Sequence, residues 1–214
     1  MATLTLPAKG FAVVSFKKRG KERFMDPRGK LLHGAAFAFA VRFSDGLAAV
    51  KPRREGKCCW GYIGKDGRFV IPPKFEDFAG RFSEGVACVR LGGKIGFINR
   101  QGEFVIPPQF EQADDFSEGL APVQLGGKWG FIGHQNRFVI PAQFSSARSF
   151  SEGLAVAYAA EDKAGYIDRQ GHWVVEPKYR QVTPFRGGFS RLPCSDECNF
   201  LLAPSVLLYG TREQ

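Results

Sequence analysis

The sequence has no long hydrophobic run and no leader-like beginning. None of its apolar stretches approaches the ~20 residues that a membrane-spanning helix needs, and the opening MATLTLPAKGF lacks the apolar segment of a secretory signal. Its cysteines are odd in number and unevenly spaced, which does not fit a disulfide framework and suits a reducing compartment. They are Cys58, Cys59, Cys88, Cys194 and Cys198. We therefore expect a soluble, cytoplasmic protein that does not act at a membrane.

The sequence also lacks the motifs of common active sites. His33, His134 and His172 fall at unrelated places, and no Ser-His-Asp order, phosphate loop or His-Glu-x-x-His spacing is present. The cysteines do not form two pairs at the spacing of a zinc site. We therefore predict no catalytic residues, no metal and no cofactor, and we expect a protein that is not an enzyme. A ligand-binding or enzymatic ring with a central site is the less favoured alternative.

The sequence has the composition of a folded protein and contains a strong internal repeat. Hydrophobic residues make up 44% of the chain and 21 residues are phenylalanine, which indicates a packed core. The phrase FSEGVACVRLGGKIGFINRQGEFVIPPQF from Phe82 returns 34 residues later as FSEGLAPVQLGGKWGFIGHQNRFVIPAQF from Phe116. Related copies begin at Phe43 and Phe150. Repetition on this scale predicts a tandem-repeat fold.

Two weaker copies flank these four and complete a single repeat domain over residues 1–214. The stretch from Gly10 keeps the order of strand, basic turn and strand, and the stretch from Gly188 aligns without gaps although its signature residues have decayed. Both are interpreted as degenerate, capping units. The six predicted units start near Gly10, Gly46, Gly85, Gly119, Gly153 and Gly188.

The repeated phrases resemble a known family. GGKWGFIGHQNRFVIPAQF and GKCCWGYIGKDGRFVIPPKFEDFAGRFSEG are similar to the WG repeats of bacterial proteins, and the similarity covers nearly the whole chain. The resemblance implies a tandem array of the kind used as an interaction scaffold. It implies no particular enzymatic activity.

One unit can be interpreted from its residues alone. In 119–144, LAPVQL, WGFIG and RFVIPAQF have the character of strands, with tight turns at GGK and HQN. Each unit is therefore predicted to be a three-stranded antiparallel meander. Pro72 and Pro73, like Pro107 and Pro108, are expected to stop the third strand, because proline donates no hydrogen bond to a sheet.

About a dozen residues then carry the chain to the next unit. Phenylalanines bracket this crossover, which indicates that both of its ends are pinned under the core, and it can supply a fourth, irregular element. They are Phe75 and Phe82, Phe110 and Phe116, and Phe144 and Phe150. The predicted fold is all-β: six tandem meander repeats in either a closed, propeller-like ring or an open twisted stack.

Two recurring motifs within the unit have structural explanations. The acids of the Phe-Ser-acid-Gly turns are Asp45, Glu84, Glu118 and Glu152; they form either a row of carboxylates or, as we favour, parts of tight turns. The Trp-Gly pair at Trp129 and Gly130 keeps glycine in four of six units, whereas the tryptophan is replaced freely. The glycine therefore indicates close backbone approach or a bulge.

The distribution of charge differs among the repeats. Residues 1–57 hold 13 Lys and Arg against 4 Asp and Glu, whereas the other 157 residues are balanced. The excess concentrates in two equivalent turns, KKRGKER and KPRREGK, where later units have LGGK. These turns are expected to lie side by side and form one surface, which we call the basic rim. It comprises Lys17, Lys18, Arg19, Lys21, Arg23, Lys51, Arg53, Arg54 and Lys57.

A basic surface of this kind binds acidic proteins or polyanions, or only keeps the protein soluble. The two turns contain no aromatic residue on which bases can stack. An acidic protein partner is therefore favoured over nucleic acid, which is kept as the alternative.

Overall fold

The computed structural model describes residues 12–16, 21–26, 28–32, 36–52, 59–191 and 200–202. Among them the ordered elements are β-strands, and no α-helix is present. The chain divides into two compact units, Met1–Gln109 and Phe110–Gln214. The all-β prediction is confirmed.

The first unit contains a six-stranded antiparallel sheet, in the order β1 to β6, and a three-stranded sheet, β7-β8-β9. The strands are β1 (Ala12–Phe16), β2 (Lys21–Met25), β3 (Phe37–Ala40), β4 (Ala48–Pro52), β5 (Trp60–Ile63), β6 (Phe69–Phe75), β7 (Ala87–Leu91), β8 (Lys94–Ile98) and β9 (Phe104–Phe110).

The second unit repeats one four-stranded sheet and begins another. The sheets are β10-β11-β12-β13, β14-β15-β16-β17 and β18-β19. Their strands are β10 (Gln112–Ala113), β11 (Ala121–Leu125), β12 (Lys128–Ile132), β13 (Phe138–Phe144), β14 (Ser146–Ala147), β15 (Ala155–Ala160), β16 (Lys163–Ile167), β17 (Trp173–Tyr179), β18 (Phe189–Arg191) and β19 (Phe200–Leu202). The small antiparallel sheets in series confirm the repeat fold, and the count of six repeats stays a prediction.

The crossover does supply a fourth strand. In the repeat that begins at Gly119, Gln112 of the crossover pairs with Gln124 of the first meander strand. In the next repeat Ser146 pairs with Tyr158. Both ends of the crossover are fixed as predicted, because the bracketing phenylalanines are buried. They are Phe75, Phe82, Phe110, Phe116, Phe144 and Phe150.

The prediction that prolines stop the third strand is wrong. Strand β6 continues through Pro72 and Pro73 to Phe75, and β9 continues in the same way through its two prolines. The register explains this continuation: Tyr62 pairs with Ile71 and Trp60 with Phe75, so the single residue Gly61 of β5 faces the three residues 72–74 of β6. The prolines lie in this bulge, on the outermost strand of the sheet, where a backbone donor is not required.

The bulge also explains the glycine of the Trp-Gly pair, which the sequence predicted to mark close approach. A Cβ atom on Gly61 would lie 2.7 Å from the Ile71 carbonyl oxygen and 2.8 Å from the Pro73 nitrogen. On Gly130 it would lie 2.6 Å from the Ile140 carbonyl oxygen. These neighbours are backbone atoms and cannot move aside, so only glycine fits.

The core lies between consecutive repeats. In the second unit one cluster joins Phe131 and Phe144 of one repeat with Phe150 and Ile167 of the next. In the first unit Tyr62 and Phe75 pack in the same way with Phe82 of the following repeat. Neighbouring repeats therefore bury each other's apolar faces, which is how tandem repeats gain stability.

The acidic turns are tight turns, as favoured. In each of the four, the acid and the glycine after it both have positive φ, for example 56° at Glu118 and 81° at Gly119. The two consecutive left-handed residues are typical of a type I′ turn.

Candidate functional site

Two hairpins carry the residues of the predicted basic rim. Lys21 and Arg23 lie in β2, and Lys51 lies in β4. The remaining members lie outside the described residues; they are Lys17, Lys18, Arg19, Arg53, Arg54 and Lys57. The strand pairs β1-β2 and β4-β5 confirm that both basic segments connect the first two strands of a meander. Their grouping into one surface stays a prediction.

In later repeats the equivalent turn is tied to the crossover by a carboxylate. The two oxygens of Glu76 accept the backbone amides of Gly92 and Gly93, at 3.2 and 3.1 Å. Glu111 accepts those of the next Gly-Gly pair, at 3.2 and 2.9 Å. A carboxylate that accepts two amides gives charge-assisted hydrogen bonds. The position of Glu76 and Glu111, directly after the last phenylalanine of the third strand, is called the staple position below.

The repeat with the second basic turn has no carboxylate at the staple position. Phe37 pairs with Glu22 in the sheet, and Phe75 pairs with Trp60. Because Glu22 and Trp60 occupy the same position in their repeats, the two phenylalanines are equivalent. The residue after Phe37 is Ala38, where Glu76 follows Phe75. The staple carboxylate that accepts the turn amides in the later repeats is therefore missing before the turn that contains Arg53 and Arg54.

An exposed aromatic residue lies at the base of the same turn. Phe39 is 57% exposed, although Phe37, two residues earlier in β3, is buried. The ring of Phe39 lies 6.3 Å from that of Trp60 at an angle of 31°. Trp60 is half-buried, and its indole nitrogen donates to the Asp77 carbonyl oxygen at 3.2 Å. We call Phe39 and Trp60 the aromatic pair.

Lys51 lies between the two aromatic residues along the sheet. It faces Phe39 across β3 and β4, and its neighbour Val50 faces Gly61 across β4 and β5. Residues that face each other across a sheet point to the same side. The described structure thus places an exposed aromatic surface beside a cation, Lys51. In the sequence Arg53 and Arg54 follow Lys51 by two and three residues. An anchor of this kind contributes apolar contact, and the cations contribute attraction to negative groups.

The aromatic pair was not predicted from the sequence, because the basic turns themselves contain no aromatic residue and Phe39 precedes the second turn by a whole strand. The alternation in FAFA, 37–40, was the available signal, because it puts two phenylalanines on one sheet face.

The described part of the chain contains no cluster of metal-binding side chains. No group of three or more His, Cys, Asp or Glu side chains is close enough to hold a metal ion there. His172 contacts Asp168 at 3.3 Å within an exposed turn. No helix among these residues is long and apolar enough to cross a membrane.

Solved structures resemble this chain in fold at low sequence identity. The computationally designed Ika8 protein is 14% identical, with a TM-score of 0.58 over 92% of this chain and 69% of that one. BamB from Moraxella catarrhalis is 13% identical, with a TM-score of 0.56 over 90% and 67%. Hsv2p from Kluyveromyces lactis is 9% identical, with a TM-score of 0.55 over 87% and 74%. At these identities the similarity concerns the fold alone.

Sequence comparison identifies the family. No curated protein sequence matches the chain. The model of the WG containing repeat family, however, matches residues 60–94, 95–129, 129–158 and 165–192, which together exceed half of the chain. The Trp-Gly pairs at Trp60 and Trp129 lie within these matches. The chain belongs to the WG containing repeat family.

Proposed function

We propose that this protein is a non-enzymatic interaction scaffold that docks a protein partner with an acidic face on the basic rim of its first two repeats. The observation that carries the proposal is the exposed aromatic pair beside Lys51, at the base of the second basic turn. Protein interfaces are anchored by a few aromatic residues, and surrounding charges steer the partner. Phe39 serves as the anchor and the basic rim attracts the partner's acidic residues.

The difference between repeats supports the same surface. In the repeats that contain Gly92 and Gly126 the turn amides are satisfied by a carboxylate of the chain itself. The repeat with Arg53 and Arg54 has Ala38 at the staple position. This repeat therefore has no staple carboxylate to offset the positive charge of its basic turn.

A second candidate function is binding of single-stranded nucleic acid or another polyanion through the same residues. The exposed face of Phe39 is the observation that favours it, because bases stack on aromatic side chains next to cationic residues. A partner of this class is expected to bind with a strong dependence on salt, since each phosphate contact releases counterions.

The test compares fluorescently labelled probes: an acidic peptide that contains one leucine, the same peptide without leucine, and random-sequence single-stranded RNA. Wild type is expected to bind the leucine peptide best, and Phe39→Ser to lower that affinity about tenfold, as expected for an aromatic anchor. Phe138→Ser is the matched control, because Phe138 is also exposed but lies on β13 in the second unit. Binding of RNA in preference to both peptides would support the second candidate, and equal binding by Phe39→Ser would contradict both.

A further inference from the structure

A groove opens in the repeat that begins at Gly153. Its volume is about 470 Å³ and it lies within the second unit. Its lining comes from the crossovers before and after this repeat and from its hairpin, and includes Ser145, Arg148, Tyr158, Glu161, Asp162 and Arg180.

The groove lies where other repeats have their staple carboxylate. Phe144 faces Trp129 as Phe75 faces Trp60, so Ser145 occupies the staple position. The Ser145 hydroxyl is too short to reach the turn and instead donates to the Tyr158 carbonyl oxygen at 3.0 Å. The substitution of serine for glutamate therefore removes the group that ties the turn to the crossover in the two preceding repeats.

The turn that loses its carboxylate is also changed. Glu161 and Asp162 lie at the tip of this hairpin, where the earlier turns have a Gly-Gly pair. The hairpin is one residue longer, with a register shift between Tyr158 and Ala160, and of its two tip residues only Asp162 has a positive φ, at 62°. Within the described part of the chain, neither backbone amide donates a hydrogen bond. The amides at the hairpin tips of the two preceding repeats each donate to a glutamate oxygen. Two donors that receive a carboxylate elsewhere are thus left available here.

Two arginines supply positive charge to the same groove. Arg180 approaches Asp162, with 3.4 Å between Nε and Oδ1, and both side chains are largely exposed. The Arg148 side chain makes no hydrogen bond or ion pair with another described residue. The carboxylate of Glu161 lines the groove as well, so the groove carries both signs of charge.

We propose that this groove binds a peptide segment of a partner in which a glutamate or aspartate is followed by a lysine or arginine. The peptide carboxylate takes the place of the missing staple carboxylate, with hydrogen bonds from the turn amides of 161 and 162 and attraction from Arg148. The basic residue of the peptide lies against the carboxylates of Glu161 and Asp162. This site is separate from the basic rim and does not depend on it.

The experiment is an NMR titration of the full chain with the capped peptide acetyl-Gly-Glu-Lys-Gly-amide. Shifts are expected at Tyr158, Glu161 and Asp162 with saturation in the millimolar range, as short peptides commonly require. The capped peptide with Gln in place of Glu tests the carboxylate and is expected to bind at least tenfold more weakly. Inorganic phosphate is titrated in parallel, and phosphate binding in preference to the peptide would overturn the assignment to a peptide.

The most informative variant returns a carboxylate to the staple position. Ser145→Glu places a carboxylate of the chain itself at the site and is expected to weaken peptide binding at least tenfold, whereas Ser145→Gln leaves it nearly unchanged. Arg148→Gln is expected to weaken binding, with Arg137→Gln as an exposed control on another turn. Equal peptide affinity in wild type and Ser145→Glu, or no saturable shifts in the wild type, would overturn the proposal. Neither result bears on the basic rim, whose residues are unchanged in every variant.

Discussion

Glu118 accepts the backbone amide of Gly153, 35 residues later in the chain, at 3.0 Å. The two residues occupy equivalent turns of consecutive repeats, so the bond links one repeat to the next. Glu152 does the same with Gly188 at 2.8 Å, and Asp45 with Gly85 at 3.2 Å. The serines of these turns add a second link, because Ser117 donates to the Phe150 carbonyl oxygen at 2.7 Å. The repeated Phe-Ser-acid-Gly phrase is therefore an inter-repeat connection as well as a turn.

The first prediction tests this connection through Glu118. Glu118→Ala removes the acceptor of the Gly153 amide and is expected to lower the free energy of unfolding by about 1–2 kcal/mol. Glu118→Gly removes the same acceptor but relieves the positive φ of 56°, so its loss is expected to be smaller by about 1 kcal/mol. Urea unfolding measures both. An alanine variant as stable as wild type would show that the contact contributes nothing to stability.

The second prediction separates the two residues of the Trp-Gly pair. Gly130→Ala forces a Cβ within 2.6–2.8 Å of backbone atoms of Ile140 and Ala142 and is expected to cost about 3 kcal/mol or more. Trp129→Ile is expected to cost less, because Trp129 is half-buried and the equivalent position holds Ile95 in another repeat. Thermal unfolding of the two variants in parallel gives the comparison, and a more damaging tryptophan substitution would be the contrary result.

The sequence predicted the features of the fold that depend on local patterns. The meander, the Gly-Gly turns and the pinned ends of the crossover follow from strand alternation, turn residues and phenylalanine spacing. The continuation of β6 through Pro72 and Pro73 was not predictable in this way, because it depends on a bulge against Gly61. The contact between Glu118 and Gly153 was hidden for a related reason: repetition shows which residues are equivalent but not which ones touch.

The candidate site was predictable only in its charge. Clustering of lysine and arginine indicated the basic turns, but alternation gives Phe37 and Phe39 the same sheet face and does not reveal the register shift between them or their different exposure. Burial of Phe37 and exposure of Phe39 follow from the packing of Phe37 against Phe24, at 6.2 Å between ring centres. The groove in the repeat from Gly153 required knowledge that Glu76 and Glu111 contact the turns, which the sequence does not contain.

The third prediction concerns the stability of the protein at acidic pH and the contribution of Asp168 to it. Burial acts to raise the pKa of this carboxyl, but hydrogen bonds from the His172 and Gln170 amides and the nearby His172 ring outweigh it, and the pKa is lowered. A lowered folded-state pKa gives stability that is complete above the unfolded value of about 4 and is lost as pH falls through the folded value. Asp168→Asn is expected to be somewhat less stable than wild type at pH 7, because the amide oxygen can keep the two backbone hydrogen bonds, as Asn99 does in an equivalent turn, but lacks the charge. Urea midpoints between pH 5 and 3 are expected to fall less steeply in the variant; parallel curves would contradict the assignment.

The fourth prediction concerns the stability of the protein at alkaline pH and the contribution of Tyr166 to it. Burial raises the pKa of this phenol, and the hydrogen bond with Ser190 acts in the opposite direction. The hydroxyl also donates to the Thr183 carbonyl oxygen at 2.6 Å. A raised folded-state pKa gives stability that is present below the unfolded value of about 10 and is lost as pH rises through the folded value.

Tyr166→Phe is therefore expected to lower stability by about 1 kcal/mol at pH 8 and to reduce the loss above pH 10. Phenylalanine fits the site, since Phe97 and Phe131 occupy the equivalent buried positions. Unfolding curves at pH 8 and 10.5 measure the difference, and an unchanged alkaline loss would assign the titration to other tyrosines.

The central claim, that the basic rim is the partner surface, is tested most directly by two variants of equal net charge. One replaces Lys17, Lys18, Arg19, Arg53 and Arg54 with glutamine; the other replaces Lys65, Arg68, Lys94, Arg137 and Lys163, which are exposed cations of other turns and strands. The measurement is the dissociation constant for the acidic leucine peptide at physiological salt. We predict at least a tenfold loss of affinity in the first variant and less than a twofold change in the second. Equal losses in the two variants would show that only net charge matters and would contradict the claim.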